Sequence, residues 1–371
     1  MKYQPVTPDI LNELRHIVGE RNLIHGDEGR LAPYAHDEVA DERYAHLPEV
    51  VVKPASAGEI AAIMLLANRH LVPVTPRGAG SGLSGGAVPV YGGILLSLER
   101  MNRILEIDRD NMVVVVEPGV VTNDINEAVA DDGLFYAGYP MSLESCFIGG
   151  NLAENAGGGR AIKYGVTGRY VLGLEVVLPT GEIINLGGKR IKDVTGYDLL
   201  HLLVGSEGTL GIFTRITLRL LPLPRARAVL LVPFPDVPTA IAAVPQIMTH
   251  GRTVPTSVEF MDRLSVETAY AHLGESVPHP DTGAMLLLEA ALKEQPDETV
   301  SKALEKAAQF FSNCTDNTDL GLWFLHDSLE ENADTMKALC EQTGSTWIPA
   351  RTLGKAPTNK LILNTHLDAI I

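Results

Sequence analysis

The sequence is short of cysteine, of basic charge and of long apolar runs, and each shortage removes a class of protein. Three cysteines stand among 371 residues, Cys146, Cys314 and Cys340, with no C-x-x-C spacing and no even number to pair. That excludes a disulfide-stapled scaffold and fits a reducing compartment, with an inert buried thiol as the default for each. Lys and Arg total 30 against 46 Asp and Glu, a net charge of −16. No basic stripe interrupts this balance, so no nucleic-acid partner is expected. The cluster "RARA", Arg225 to Ala228, reads as a solvated linker. No run of 18 apolar residues occurs, so no transmembrane segment is expected, and "MKYQPVTPDILNELRHIVG" lacks the apolar core of a signal peptide. The expectation is a cytoplasmic protein, with peripheral attachment at the inner membrane through a partner left open. No two histidines have metal-ligand spacing with a carboxylate, so no metal site is assigned.

What is present is ample apolar material, 45% of the chain, and 35 glycines gathered into a few clusters. The length suggests two or three domains. Thr7 or Asp9 can cap a first helix, "ILNELRHIVG". Then "PEVVVKPAS" reads as a buried strand, "SAGEIAAIMLLANRHL" as a helix capped by Ser56 with Glu59 reaching back, and "VPVTP" as a strand, a β-α-β unit over residues 50–76. From residue 94 onward, apolar or alternating runs are divided by turn residues, with "LPTGEI" as a hairpin. Pro222 and Pro224 mark a domain boundary. Beyond it, strand and helix patterns alternate: "AVLLVPF", "VPTAIAAVPQIMTHG", "TSVEFMD", "SVETAYAHL", "AMLLLEAAL" and "ETVSKALEKAAQFF". This order suits a ferredoxin-like sheet covered by helices on one side. The expected organisation is an N-terminal helix and connection over 1–45, a domain over 46–224 in two parts (about 46–100 and 101–224), and a further domain over 225–371.

"TPRGAGSGLSGGAVPVYGGILLSLE", residues 75–99, spells G-x-G-x-x-G at Gly80, Gly82 and Gly85, with Glu99 closing the following strand. A nicotinamide-dinucleotide fingerprint requires a helix directly after the glycines. Only "GAVPVYGG" separates Gly85 from the strand at Ile94, too little for a crossover of about ten residues. That reading fails. The remaining chemistry is that of exposed backbone amides, which form an anion-binding concavity without a helix. A flexible surface loop is the simpler alternative for one such string. Two more segments change the weighing: "IGGNLAENAGGGRAIKYG", residues 148–165, and "GSEGTLGI", residues 205–212. Three small-residue loops suit a long ligand of dinucleotide shape, with Asn151, Asn155, Ser206, Glu207 and Thr209 as directional partners.

These same stretches carry a family resemblance. "PEVVVKPASAGEIAAIM…VPVTPRGAGSGLSGGAVP" resembles the pyrophosphate-loop part of the vanillyl-alcohol-oxidase superfamily of FAD enzymes. "SCFIGGNLAENAGGGRAIKYGVTGRYVLGLEVVLPTGEI" and "KDVTGYDLLHLLVGSEGTLGIFTRITLRLLP" are similar to the FAD-linked 2-hydroxyacid dehydrogenases, which include D-lactate dehydrogenase, the flavin subunit of glycolate oxidase and D-2-hydroxyglutarate dehydrogenase. The match runs from about Tyr34 to Pro224 and less tightly to Ala290. It implies an α+β fold: an FAD-binding domain of two α+β subdomains, followed by a ferredoxin-like cap that is incomplete here. By the same resemblance, Pro76, Arg77, Gly78, Ala79, Gly80, Ser81, Gly82, Leu83 and Ser84 wrap the FAD pyrophosphate. Tyr139, Pro140 and Met141 border the flavin. Gly149, Gly150, Asn151, Ala153, Asn155 and Gly157 line the flavin and ribityl region, and Glu207, Gly211 and Ile212 hold the adenine–ribose or flavin edges. No histidine maps to covalent flavin attachment, so non-covalent FAD is expected. The implied activity is oxidation of a small D-2-hydroxy acid to the 2-oxo acid, with an iron–sulfur or electron-transfer flavoprotein as partner.

The family's H-x-G-D-G-N-x-H motif has no counterpart in this sequence. A divalent metal, common in relatives, therefore has no assigned position, and the catalytic residues stay unassigned. A C-terminal truncation, a divergent tail and a member specialised for another role all remain open, the last as a non-catalytic FAD-binding subunit of a larger complex. His326 beside Asp327 can orient a base, but the favoured reading of "FLHDSLEENADTMKAL" is a surface helix. Arg351 and Lys355 can bind a carboxylate but are favoured as solvated loop charges, His366 stands outside any motif, His201 reads as a structural or helix-surface histidine, and the role of Lys192 and Asp193 is left open, with packing or loop capping as the simpler reading.

Overall fold

Thr7 sets the first helix. Its Oγ1 accepts from the Ile10 amide at 3.4 Å, and Gly19 closes the helix at a φ of +81°. This α1 (Pro8–Val18) buries Ile10, Leu11, Leu14 and Val18. After β1 (Leu23–His25), α2 (Glu28–Leu31) and β2 (Val50–Val52) comes α3 (Ala57–His70). Ser56 Oγ accepts from the Glu59 amide at 3.2 Å, while the Glu59 carboxylate accepts from the amide of Ala55 at 2.8 Å. This is a capping box whose return bond falls one residue early. β3 (Val74–Arg77) and β4 (Ile94–Ser97) complete a sheet of order β1-β2-β4-β3, in which β2, β4 and β3 run parallel. β4 thus enters between the two strands that α3 joins. Val50, Val52, Ile94 and Leu96 face a core shared with α1 and α3, whereas Val51 and Leu95 face Ile24 and Leu31. A strand buried on both faces needs an unbroken apolar run, which "VVV" and "ILL" supply.

This is a computed structural model, and it describes residues 3–39, 42–224, 226–249, 254–274 and 282–292, with the backbone of strands at 322–326, 346–348 and 359–363. The chain divides into two compact units, Met1–Gly158 with Gly165–Leu223, and Gly159–Tyr164 with Pro224–Ile371. The first unit continues through β5 (Ile104–Asp108), β6 (Val113–Val116), α4 (Thr122–Val129), β7 (Leu134–Phe135) and α5 (Ile148–Glu154). α6 (Ala161–Tyr164) belongs to the second unit. The first resumes with β8 (Val171–Val177), β9 (Ile183–Gly187), α7 (Leu199–Leu203), β10 (Ile212–Arg219) and β11 (Leu221–Pro222). Its second sheet is antiparallel in the order β5-β6-β10-β8-β9. The hairpin between β8 and β9 turns at Gly181, φ +85°, with Leu178 N–H donating to the Glu182 carbonyl at 2.8 Å.

The second unit contains β12 (Ala226–Phe234), α8 (Val237–Thr249), β13 (Ser257–Asp262), α9 (Arg263–Leu273), β14 (Ala284–Leu292), β15 (Leu322–His326), β16 (Thr346–Ile348) and β17 (Asn359–Leu363). The sheet order is β13-β14-β12-β15-β17-β16, and its first four strands have the ferredoxin-like arrangement. Ala240, Ala243 and Ile247 of α8 pack on Val232, Phe234, Leu286 and Leu288. Two expectations need correction. "RARA" is not a linker: the strand begins at Ala226, and Arg227 pairs opposite Ala291 with its Nε 3.8 Å from Glu289 Oε1. "FLHDSL" opens as a strand rather than a helix, because residues 322–326 pair with both β12 and β17. Lys302, Glu305, Lys306, Cys314, Asp327, Cys340, Arg351, Lys355 and His366 lie outside the described residues.

Ile63 of α3 is fully buried in the shared core. Ile63→Ala should lower stability by about 2–5 kcal/mol in urea unfolding followed by circular dichroism. A loss below about 1 kcal/mol would contradict this packing.

Candidate functional site

β3 ends at Arg77, and the first glycine segment begins there. Arg77 is buried, its Nη1 donating to the carbonyls of His36 at 2.7 Å and Ala87 at 3.4 Å, its Nη2 to that of Pro33 at 3.2 Å. Desolvation pushes its pKa down, and the carboxylate of Asp37 works against that shift. Asp37 is also buried, and its Oδ2 accepts from the Gly85 amide at 2.7 Å. The two side chains therefore hold both ends of the loop. Gly80 has a φ of +75°, and a Cβ there would run into the guanidinium. No helix follows the glycines before Ile94. Glu99 is occupied elsewhere, accepting from Lys53 Nζ at 2.6 Å and Tyr34 Oη at 3.1 Å.

The second segment, expected as a loop, contains a short helix instead. In α5 the apolar residues Ile148 and Leu152 are buried, and Asn155 ends the helix in the left-handed region at φ +50°. Gly149 is required by close packing, since a Cβ would meet Pro118 Cβ at 2.6 Å. Gly150 faces open space, with nothing within 4 Å of an added Cβ. The buried Asn151 donates from Nδ2 to Thr122 Oγ1 at 2.6 Å and to Cys146 Sγ at 3.4 Å. Cys146 is the buried thiol expected of it.

The third segment docks on the end of this helix. Gly205 N–H donates to the Leu152 carbonyl at 2.9 Å, which also accepts from the Asn155 amide at 3.1 Å, and Glu207 N–H donates to the Ala153 carbonyl at 2.8 Å, so the turn adds donors at the helix terminus. Glu207 itself takes a φ of +52°. A Cβ on Gly208 would meet Pro76 Cγ at 2.6 Å, so this turn also abuts β3. His201 is structural, with Nδ1 2.8 Å from Asp198 Oδ2 and Nε2 3.1 Å from the Gly168 carbonyl. Asp193 accepts from Arg190 Nη2 at 2.9 Å.

The three segments enclose a cavity of about 420 Å³, within the range of small-molecule and cofactor sites. The first segment contributes Pro76, Arg77, Gly78, Ala79, Gly80, Ser81, Gly82 and Leu83 to its wall. Pro140, Met141, Gly149, Gly150, Asn151, Ala153 and Gly157 form a second side, and Glu207, Gly211 and Ile212 a third. Ser84, Tyr139 and Asn155 do not line it. Ser84 Oγ instead donates to Glu154 Oε1 at 3.3 Å, and Asn155 Oδ1 accepts from the Gly168 amide at 2.8 Å, so Asn155 serves the chain rather than the cavity. Sequence reasoning missed Ala87, Ser142, Phe147, Glu154, Ala156, Gly208, Phe213 and Leu98. Most are neighbours of named residues; Leu98 gave no local signal.

The charged side chains on the wall are Arg77, Glu154 and Glu207. Glu154 lies against Gly82, and desolvation raises its pKa, helped by Glu207 and Asp37 and opposed by the hydrogen bond from Ser84. The contrast between adjacent glycines gives a prediction. Gly149→Ala should cost about 1–3 kcal/mol of stability through overpacking against Pro118. Gly150→Ala should leave it unchanged or raise it by up to about 1 kcal/mol, as Ala is the better helix former. Equal effects in denaturant titrations would contradict this geometry.

Comparison with known proteins gives this cavity its context. The FAD binding domain family matches residues 48–187, and the C-terminal domain of FAD linked oxidases matches residues 223–323. The chain is 42% identical over 303 residues to the glycolate oxidase subunit GlcD of Bacillus subtilis, covering 81% of this chain and 62% of that protein. It is 40% identical over 314 residues to a D-lactate dehydrogenase of Anaerostipes hadrus, covering 83% and 64%. It therefore spans less than two thirds of the length of these two relatives. A D-2-hydroxyglutarate dehydrogenase of Stutzerimonas stutzeri is 30% identical over 388 residues, covering 98% of this chain and 77% of that protein. In fold, an alkyldihydroxyacetonephosphate synthase structure superposes at a TM-score of 0.70 with 19% identity, over 98% of this chain and 78% of that one. Among the described residues, no helix is long and apolar enough to cross a membrane. With both matched domains in order, the chain belongs to the FAD-linked oxidoreductases built on the vanillyl-alcohol-oxidase type of FAD-binding fold, with FAD as cofactor.

Proposed function

We propose that the cavity of the first unit holds FAD without a covalent bond, and that the chain serves the oxidation of a small D-2-hydroxy acid, of lactate or glycolate type, to the 2-oxo acid. The observation that carries this reading is the convergence of three separate small-residue segments on one cavity. The residues fit the group. Gly150 leaves open space where any side chain would intrude, and a Cβ on Gly78 would sit 3.6 Å from Gly150 N, so the two backbones run side by side. Main-chain amides of Gly78, Gly80, Ser81 and Gly82 suit the pyrophosphate. Gly149, Gly150, Asn151 and Ala153 suit the flavin and ribityl chain, and Glu207, Gly211 and Ile212 an edge of the nucleotide. Arg77 holds the loop's shape from beneath and adds positive potential.

Bound FAD supplies a two-electron acceptor for the hydride equivalent of the substrate's α-carbon. The chain's task in this region is to hold and shield. Asn151 is locked by Thr122 and Cys146, which fixes its position before any ligand arrives. A second reading, an FAD-binding subunit that works within a larger oxidoreductase, is favoured by the word "subunit" in the names of the Bacillus subtilis and Escherichia coli relatives. An iron–sulfur or electron-transfer flavoprotein partner suits that reading.

Purified chain should take up FAD, and anaerobic D-lactate, glycolate or D-2-hydroxyglutarate should bleach the flavin absorbance. A flavin that stays oxidised with every acid alone, but is reduced once a copurifying partner is present, selects the subunit reading. Protein that refuses FAD overturns both. Gly150→Ala should weaken FAD binding about tenfold or more while the fold stays intact, since one methyl group then occupies the cavity; unchanged affinity would place the ligand elsewhere.

A further inference from the structure

Glu154 sits where a carboxylate is least expected. Among the described residues, the charged ones that line the wall suited to a pyrophosphate are Glu154, Glu207 and Arg77, and the Arg77 guanidinium is already committed to three backbone carbonyls. Glu154 reaches from the last residue of α5 to the middle of the glycine loop. Its Oε1 lies against Gly82 and accepts from Ser84 Oγ at 3.3 Å. From the turn after α7, Glu207 comes to the same loop, its Oε2 being 3.5 Å from a Cβ built on Gly86. Asp37 approaches from the segment after α2 through its bond to the Gly85 amide. His36 lies beyond Asp37, with Nδ1 2.9 Å from the Asp37 carbonyl. Among the described residues, no lysine or histidine lines the wall.

Resting on the FAD reading of this cavity, we propose that FAD binding to this chain takes up a proton at Glu154. The dianionic pyrophosphate, brought beside Gly82, repels the carboxylate and favours the neutral carboxylic acid, which can also donate a hydrogen bond. No bond is made or broken except that of the proton, which comes from solvent. Desolvation and the Glu207 and Asp37 charges already bias Glu154 toward protonation in the free protein. The sign follows from linkage. Binding raises the carboxyl's pKa, so affinity is greatest below the free-protein pKa and falls with rising pH until the pKa of the complex is passed. Glu154 is singled out over Glu207 because its carboxylate lies against the centre of the loop.

The test is FAD affinity of the full chain by fluorescence quenching between about pH 5.5 and 8.5, with calorimetry in two buffers of different ionisation enthalpy to count protons. Wild type should bind more weakly as pH rises, approaching tenfold per pH unit for one linked proton. Glu154→Gln should bind with little pH dependence and no proton uptake, whereas His36→Asn should keep both. Ser84→Ala, which removes a hydrogen bond to the carboxylate, should move the affinity loss to higher pH; this shift decides the matter if Glu154→Gln does not fold. A wild type that binds FAD with no proton uptake overturns the proposal and leaves the FAD reading standing. Proton uptake that persists in Glu154→Gln overturns it as well. Failure to bind FAD at any pH overturns both.

Discussion

A buried guanidinium carries the architecture of the cavity. Arg77 closes β3, bonds three carbonyls from two neighbouring stretches of chain, and stands directly behind Gly80. A loop of glycines has a large conformational entropy to lose on ordering. Here the loss is offset by tying the loop to a charged group that is buried with its hydrogen bonds made. Asp37 completes the arrangement by fixing Gly85 and by partly balancing the charge that burial disfavours. The loop is thereby shaped from behind, which leaves its front free for a ligand.

The same economy governs the other two segments. At the end of α5 the carbonyls of Leu152 and Ala153 accept from the turn at Gly205 and Glu207. Two glycine-rich stretches separated by roughly fifty residues thus become one wall for a local reason, before any ligand is considered. Each glycine has its own cause: Gly149 yields to Pro118, Gly208 to Pro76, while Gly150 yields to nothing in the protein and opens on the cavity. That last kind of glycine is the one that points to a ligand.

Much of this was legible in the sequence. The helices at Thr7 and Ser56 follow from their caps, and the failure of the nicotinamide fingerprint followed from the eight residues after Gly85. The structure adds that Glu99 is held by Lys53. Other features were hidden for physical reasons. The helix over Ile148–Glu154 is too short and too rich in glycine to show a periodicity, and tertiary packing makes it. Asn155 looks like a ligand residue in one dimension, yet its side chain caps Gly168. Glu154 gives no sign at all, because only the fold brings it to Gly82. "RARA" has the composition of a linker, and sheet pairing with β14 overrides it.

In the function proposed above, these three segments grip one flavin nucleotide together. Hydrogen exchange of the backbone amides, with and without FAD, tests it most directly. Added protection is expected within residues 78–86, 149–153 and 205–212 at once, with the buried strand β6 unchanged. Protection confined to a single segment, or falling elsewhere in the chain, would contradict it.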